Sequence, residues 1–100
     1  MNIKRTEQTN NMTSFHGHTI TTTPERLTNL FGPPTYESNN GEDKVNMEWV
    51  LELNDGSVFT IYDWKEYKKL SMTHKIEWHI GARNSGISVD AWAELMNTIF

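Results

Sequence analysis

Residues 45–62 read VNMEWVLELNDGSVFTIY, and this stretch decides the fold. Val45, Met47, Trp49, Leu51 and Leu53 fall on one face at the period of a strand. Asp55-Gly56 then accepts the positive φ angles of a tight primed turn, and Val58 to Tyr62 returns as the partner strand. A tip at Asp55-Gly56 sets Leu53 opposite Val58, Leu51 opposite Thr60, Trp49 opposite Tyr62 and Met47 opposite Trp64. On the other face Val50 meets Ile61, Glu52 meets Phe59 and Glu48 meets Asp63. A slip of one residue would exchange the two faces.

Working outward, Trp64–His74 is a connector, and Lys75–Ile80 (KIEWHI) alternates again, with Ile76, Trp78 and Ile80 on one side and Glu77 and His79 on the other. Gly81 ends that strand and Arg83–Gly86 is a turn. Ser88 is expected to cap a final helix whose inward face carries Val89, Trp92, Ala93, Met96, Ile99 and Phe100. On the N-terminal side, Tyr36–Lys44 is a polar loop. Thr23, Pro24 and Glu25 open a short helix with Leu27, Leu30 and Phe31 as its apolar stripe, and Gly32 followed by Pro33-Pro34 closes it. Phe15–Thr22 is a short edge strand, and residues 1–14 form a flexible polar arm ahead of a single domain spanning 15–100. The expected class is α+β: a small antiparallel sheet of three to four strands, with a short N-terminal helix and a C-terminal helix packed on one face.

Net charge is −4 and no basic stripe is present, which argues against duplex nucleic acid, where affinity comes from neutralised phosphates. With 13 acids against 9 bases the chain is also too mildly acidic to imitate a nucleic acid. Without cysteine there is neither a disulfide nor a thiolate metal site. No apolar run reaches membrane-spanning length and the first residues lack a secretory segment, so a soluble cytoplasmic protein is expected. His16-x-His18 places two rings on one side of an extended segment but finds no third ligand at a recognisable spacing, and no metal or other cofactor is expected.

Three segments stand out together: LFGPP at 30–34, DGSVFTIYDWK at 55–65 and EWHIG at 77–81. The combination resembles a group of small proteins encoded by tailed bacteriophages that share a DG-x-VFTIYDWK … WHIG pattern, and the likeness covers roughly residues 24–100. It implies a phage accessory protein acting in the host cytoplasm against a host defence. It brings no activity residue by residue.

The candidate ligand site gathers Tyr62, Trp64, Lys65, Trp78, His79 and Arg83. Aromatic rings beside Lys65 and Arg83 would sandwich a base and neutralise a phosphate. The same rings of Trp49, Tyr62, Trp64 and Trp78 read equally as core beneath the final helix and Trp92. Glu48 opposite Asp63 would repel across the ladder unless a lysine screens them, and no nucleophile, phosphate loop or acid–base set completes a catalytic mechanism. An enzyme stands third, behind two other function classes. One is a non-enzymatic, oligomeric sequestrant of a cyclic or other signalling nucleotide of host immunity. The other is a protein inhibitor of a host defence enzyme, comparable to an anti-CRISPR protein.

Overall fold

The computed structural model describes residues 2–8 and 13–100. In chain order the elements are β1 (Ile3–Arg5), β2 (Ser14–Thr22), α1 (Pro24–Phe31), β3 (Tyr36–Glu37), β4 (Met47–Leu53), β5 (Val58–Tyr62), β6 (Ile76–Ala82) and α2 (Ser85–Ile99). The fold is α+β, as expected. The antiparallel sheet is larger than the three to four strands read from the sequence: six strands run β1-β4-β5-β6-β2, with the short β3 also on β4. Among the described residues no helix is long and apolar enough to cross a membrane.

The first strand corrects the flexible-arm expectation. Ile3 pairs with Leu53 and is 4% exposed, and Arg5 pairs with Leu51 and donates to the carbonyls of Phe31 and Pro33. Residues 9–12 of that expected arm lie outside the described residues.

The central hairpin forms where expected but one residue out of the expected register. Glu48 lies opposite Tyr62, Trp49 opposite Ile61, Val50 opposite Thr60 and Leu51 opposite Phe59. The cause is the turn. Leu53 accepts from Gly56 N–H and donates to Ser57 O, both at 2.9 Å, and Gly56 has φ +86°. That is a three-residue loop with a left-handed glycine bulge, not a two-residue primed turn. The Asp55 side chain accepts from Ser57 N–H (2.9 Å), and these Ser57 contacts hold its carboxyl below the ordinary value. The odd loop length sends Phe59 and Ile61 inward with Trp49 and Leu51, and turns Thr60 and Tyr62 to the other face. The expected Glu48–Asp63 pair therefore does not exist.

Both helices cover one face of the sheet, and the core lies between. Trp49 and Trp78 are fully buried there, ring centroids 5.5 Å apart and nearly perpendicular. Each indole N–H is satisfied by a backbone carbonyl, Gly32 at 2.9 Å and Thr22 at 3.0 Å, so the two largest side chains bury their area without an orphaned donor.

α1 is capped as expected: Thr23 Oγ1 accepts from Arg26 N–H (3.0 Å), and Gly32, at φ +82°, ends it. α2 departs from expectation. Asn84 caps it, accepting from Ile87 N–H (2.9 Å), so Ser88 sits inside the first turn, buried and bonded to His18. Its inward face is Ser88, Ala91, Leu95 and Ile99, while Val89, Trp92, Ala93, Met96 and Phe100 are exposed. Small residues at 88 and 91 let the helix sit close on the sheet, which leaves a bulky Trp92 only at its margin.

Candidate functional site

On the face of the sheet opposite the helices Val50, Val58 and Thr60 are buried, and one end carries a partly exposed aromatic cluster. Strand alternation builds it: Trp49, Ile61 and Ile80 point into the core, so their neighbours Glu48, Tyr62 and His79 point out. His79 is the centre. Phe15 of β2 stacks on its ring (centroids 4.2 Å, 21°) and Trp64 lies over it at 6.4 Å and 30°. Tyr62 meets both edge-on, at 5.6 Å from His79 and 6.2 Å from Trp64.

Two ammonium groups lie over the outer ring. Lys65 Nζ stands 5.5 Å and Lys44 Nζ 5.9 Å from the Trp64 ring centroid, within cation–π range. Lys65 N–H donates to Lys44 O (2.8 Å), which brings the two together. Lys65 has φ +54°, a left-handed conformation costly for a residue with a Cβ. Trp64 is 42% exposed.

Beneath the cluster, Gly81 lies opposite Phe15 and Thr60. A Cβ there would stand 3.3 Å from the Tyr62 ring, so the glycine makes room for the aromatic above it. Tyr62 is half-buried, and desolvation, followed by the charge of Glu48, raises its pKa above the ordinary value.

Of the residues expected to form the site, Tyr62, Trp64, Lys65 and His79 come together. Trp78 does not: it lies on the opposite face, in the core, fully buried. Arg83 is exposed just past the end of β6, four residues along from His79, about 13 Å at strand rise. Phe15 and Lys44 were missed. The Lys65 N–H to Lys44 O bond beyond the end of the ladder brings Lys44 to Trp64, and pairing of β2 with β6 brings Phe15 to His79. Asp63, within the YDWK run, turns inward and is a structural anchor. His16 donates to Ala82 O (2.9 Å) and His18 lies 2.9 Å from Ser88 Oγ, so the two rings serve different partners. Among the described residues no group of three His, Cys, Asp or Glu could hold a metal.

The arrangement offers flat ring surface with positive charge over it, and the acidic Glu48 on the far side of Tyr62. Such a surface suits a planar group carrying an anion. Compared with family models, with curated proteins and with solved structures, the chain matches none.

Proposed function

We propose that the protein is a phage-encoded, non-catalytic binder that takes up a signalling nucleotide of host immunity at the exposed aromatic end of its sheet and withholds it. The phage origin and the messenger class rest on the likeness of the DG-x-VFTIYDWK … WHIG pattern to the tailed-phage group. The nucleotide chemistry rests on one observation: a partly exposed Trp64 with Lys44 and Lys65 over its ring, backed by His79, Phe15 and Tyr62. A base stacks on Trp64 by displacing the ammonium groups from over the ring, and they turn to its phosphate, away from Glu48. Ring faces and ammonium groups hold such a ligand without supplying a nucleophile to cleave it.

Magnitude favours a ligand with more than one base. Stacking contributes about 1–3 kcal/mol per base, whereas micromolar affinity requires about 8 kcal/mol. A mononucleotide is therefore held weakly, and a cyclic di- or oligonucleotide, with repeated stacking and charge contacts, is held well.

Calorimetry against a panel of cyclic di- and trinucleotides tests this. At least one should bind with micromolar or tighter affinity, Trp64→Ala should weaken it by about 5- to 150-fold, and heat denaturation should release it with unchanged mass. Absence of heat across the panel would remove the reading and leave the protein-inhibitor class. A ligand released in cleaved form would make the protein an enzyme.

A further inference from the structure

Two features meet along one side of the molecule. β2 is the last strand of the sheet and, among the described strands, pairs only with β6, so one line of its N–H and C=O groups faces outward. Its sequence, SFHGHTITT, has no lysine, acid or proline, the residues that usually blunt an exposed edge. A bulge between Phe15 and Thr19, with Gly17 at φ +95°, interrupts it, but Thr19–Thr22 continues in unbroken register. α2 packs over β2 and β6, and Trp92 leans on His18 of β2 with ring centroids 6.3 Å apart. That contact places Trp92 on the β2 side of the helix. Val89 and Met96 share the Trp92 flank by helical spacing. These three are 46%, 36% and 38% exposed respectively. The helix's two charges, Asp90 and Glu94, lie on the other flank, lining a cleft with Asn2, Asn54 and Asp55.

We propose that a second copy of this chain docks on this side. Two β2 strands pair antiparallel about a two-fold axis, joining two sheets into one, and the Val89–Trp92–Met96 stripes of the two α2 helices close over the seam. A four-residue strand edge supplies hydrogen bonds but little area, and a stable interface buries about 800 Å² per partner. That is roughly a seventh of the 5544 Å² surface, and the apolar stripe beside the edge adds to the area of the strand. A two-fold interface must be self-complementary. A patch without carboxylate, lysine or arginine meets its copy without a like-charge pair, although each chain carries −4. The inference stands independently of the nucleotide reading, because the aromatic cluster is on the opposite face of the sheet from α2.

Sedimentation equilibrium of the intact chain at tens of micromolar and above should return twice the 11.6 kDa chain mass. Met96→Lys and, separately, Thr21→Lys bring like charges near the axis and should each weaken the dimer by about tenfold or more, with circular dichroism unchanged. Hydrogen exchange at Thr19–Thr22 should slow with rising concentration in the parent chain and not in the variants. A chain that stays at 11.6 kDa at every concentration overturns the proposal, as does a dimer that neither substitution weakens. β2 amides protected only when a different protein is added would likewise overturn it.

Discussion

Asp63 is fully buried and takes two hydrogen bonds from Asn46, one from its backbone N–H at 2.8 Å and one from its side-chain Nδ2 at 2.9 Å, while Met47 N–H adds a third at 2.9 Å. Asn46 passes the connection on, accepting from Gly41 N–H (3.2 Å) and donating to Lys68 O (3.1 Å). This clasp ties the loop before β4 to the connector after β5, and Trp64 and Lys65 emerge between them. Stranding a buried donor costs about 1–3 kcal/mol. Asp63→Ala strands three, so stability should fall by about 3 kcal/mol or more, lowering Tm by roughly 12–24 °C for a domain of this size. Asp63→Asn keeps one acceptor but turns an N–H toward other donors, and should fall between. A thermal melt of Asp63→Ala within a few degrees of the parent would show that the clasp contributes little.

Gly81 is held to glycine by what lies across from it. A Cβ at this position would overlap Thr60 Oγ1 and press on the Tyr62 ring. Gly81→Ala should destabilise by about 1–3 kcal/mol, the usual cost of overpacking. Adding Thr60→Ala removes the first clash, so the double variant should recover part of the loss; strict additivity in that cycle would show that the two positions do not compete for space.

The hairpin and the alternation of β4 and β6 were legible because a period of two and a Gly-containing turn are local signals. The register was not, because Asp55-Gly56 suits both a primed turn and a three-residue loop with a glycine bulge, and only burial of Phe59 and Ile61 beside Trp49 separates them. That one step moved Tyr62 from Trp49's face to the opposite one, beside His79, and split the expected cluster, leaving Trp78 in the core. Ile3–Arg5 was unreadable as a strand: three residues carry no period, and their partner lies about fifty positions away. The α2 face was misread because Trp92 and Met96 at helical spacing outweigh Ala91 and Ser88 in any hydrophobic pattern, while close packing on a sheet favours the small pair.

Tyr62 links the aromatic cluster to alkaline stability. Burial and the nearby Glu48 raise its pKa, so the folded chain keeps a proton that the unfolded chain loses near pH 10. Above that pH the unfolded state binds fewer protons, so stability is complete below pH about 10 and declines as pH rises through the folded pKa. Tyr62→Phe should flatten that decline, and Glu48→Gln should reduce it in part. Urea unfolding between pH 8 and 11, with tyrosinate absorbance read alongside, provides the check. Equal alkaline slopes in the parent and Tyr62→Phe would mean that another group carries the effect.

Trp64 and Trp92 have similar exposure, 42% and 38%, but different electrostatic surroundings. Lys44 and Lys65 lie over Trp64, whereas α2 carries no base and its two acids, Asp90 and Glu94, lie on the flank away from Trp92. Trp49 and Trp78 are fully buried and should resist aqueous quenchers. In Trp92→Phe, where Trp64 is the exposed reporter, iodide should therefore quench more strongly than caesium. In Trp64→Phe, where Trp92 remains, the preference should vanish or reverse. Lys65→Met should lower iodide quenching of Trp64, and raising the salt should shrink the difference, since exposed charges are screened within about 10 Å at 0.1 M. An iodide-to-caesium ratio equal for the two tryptophans would mean that the lysines do not draw anions to the ring, and a phosphate would then have no reason to settle there.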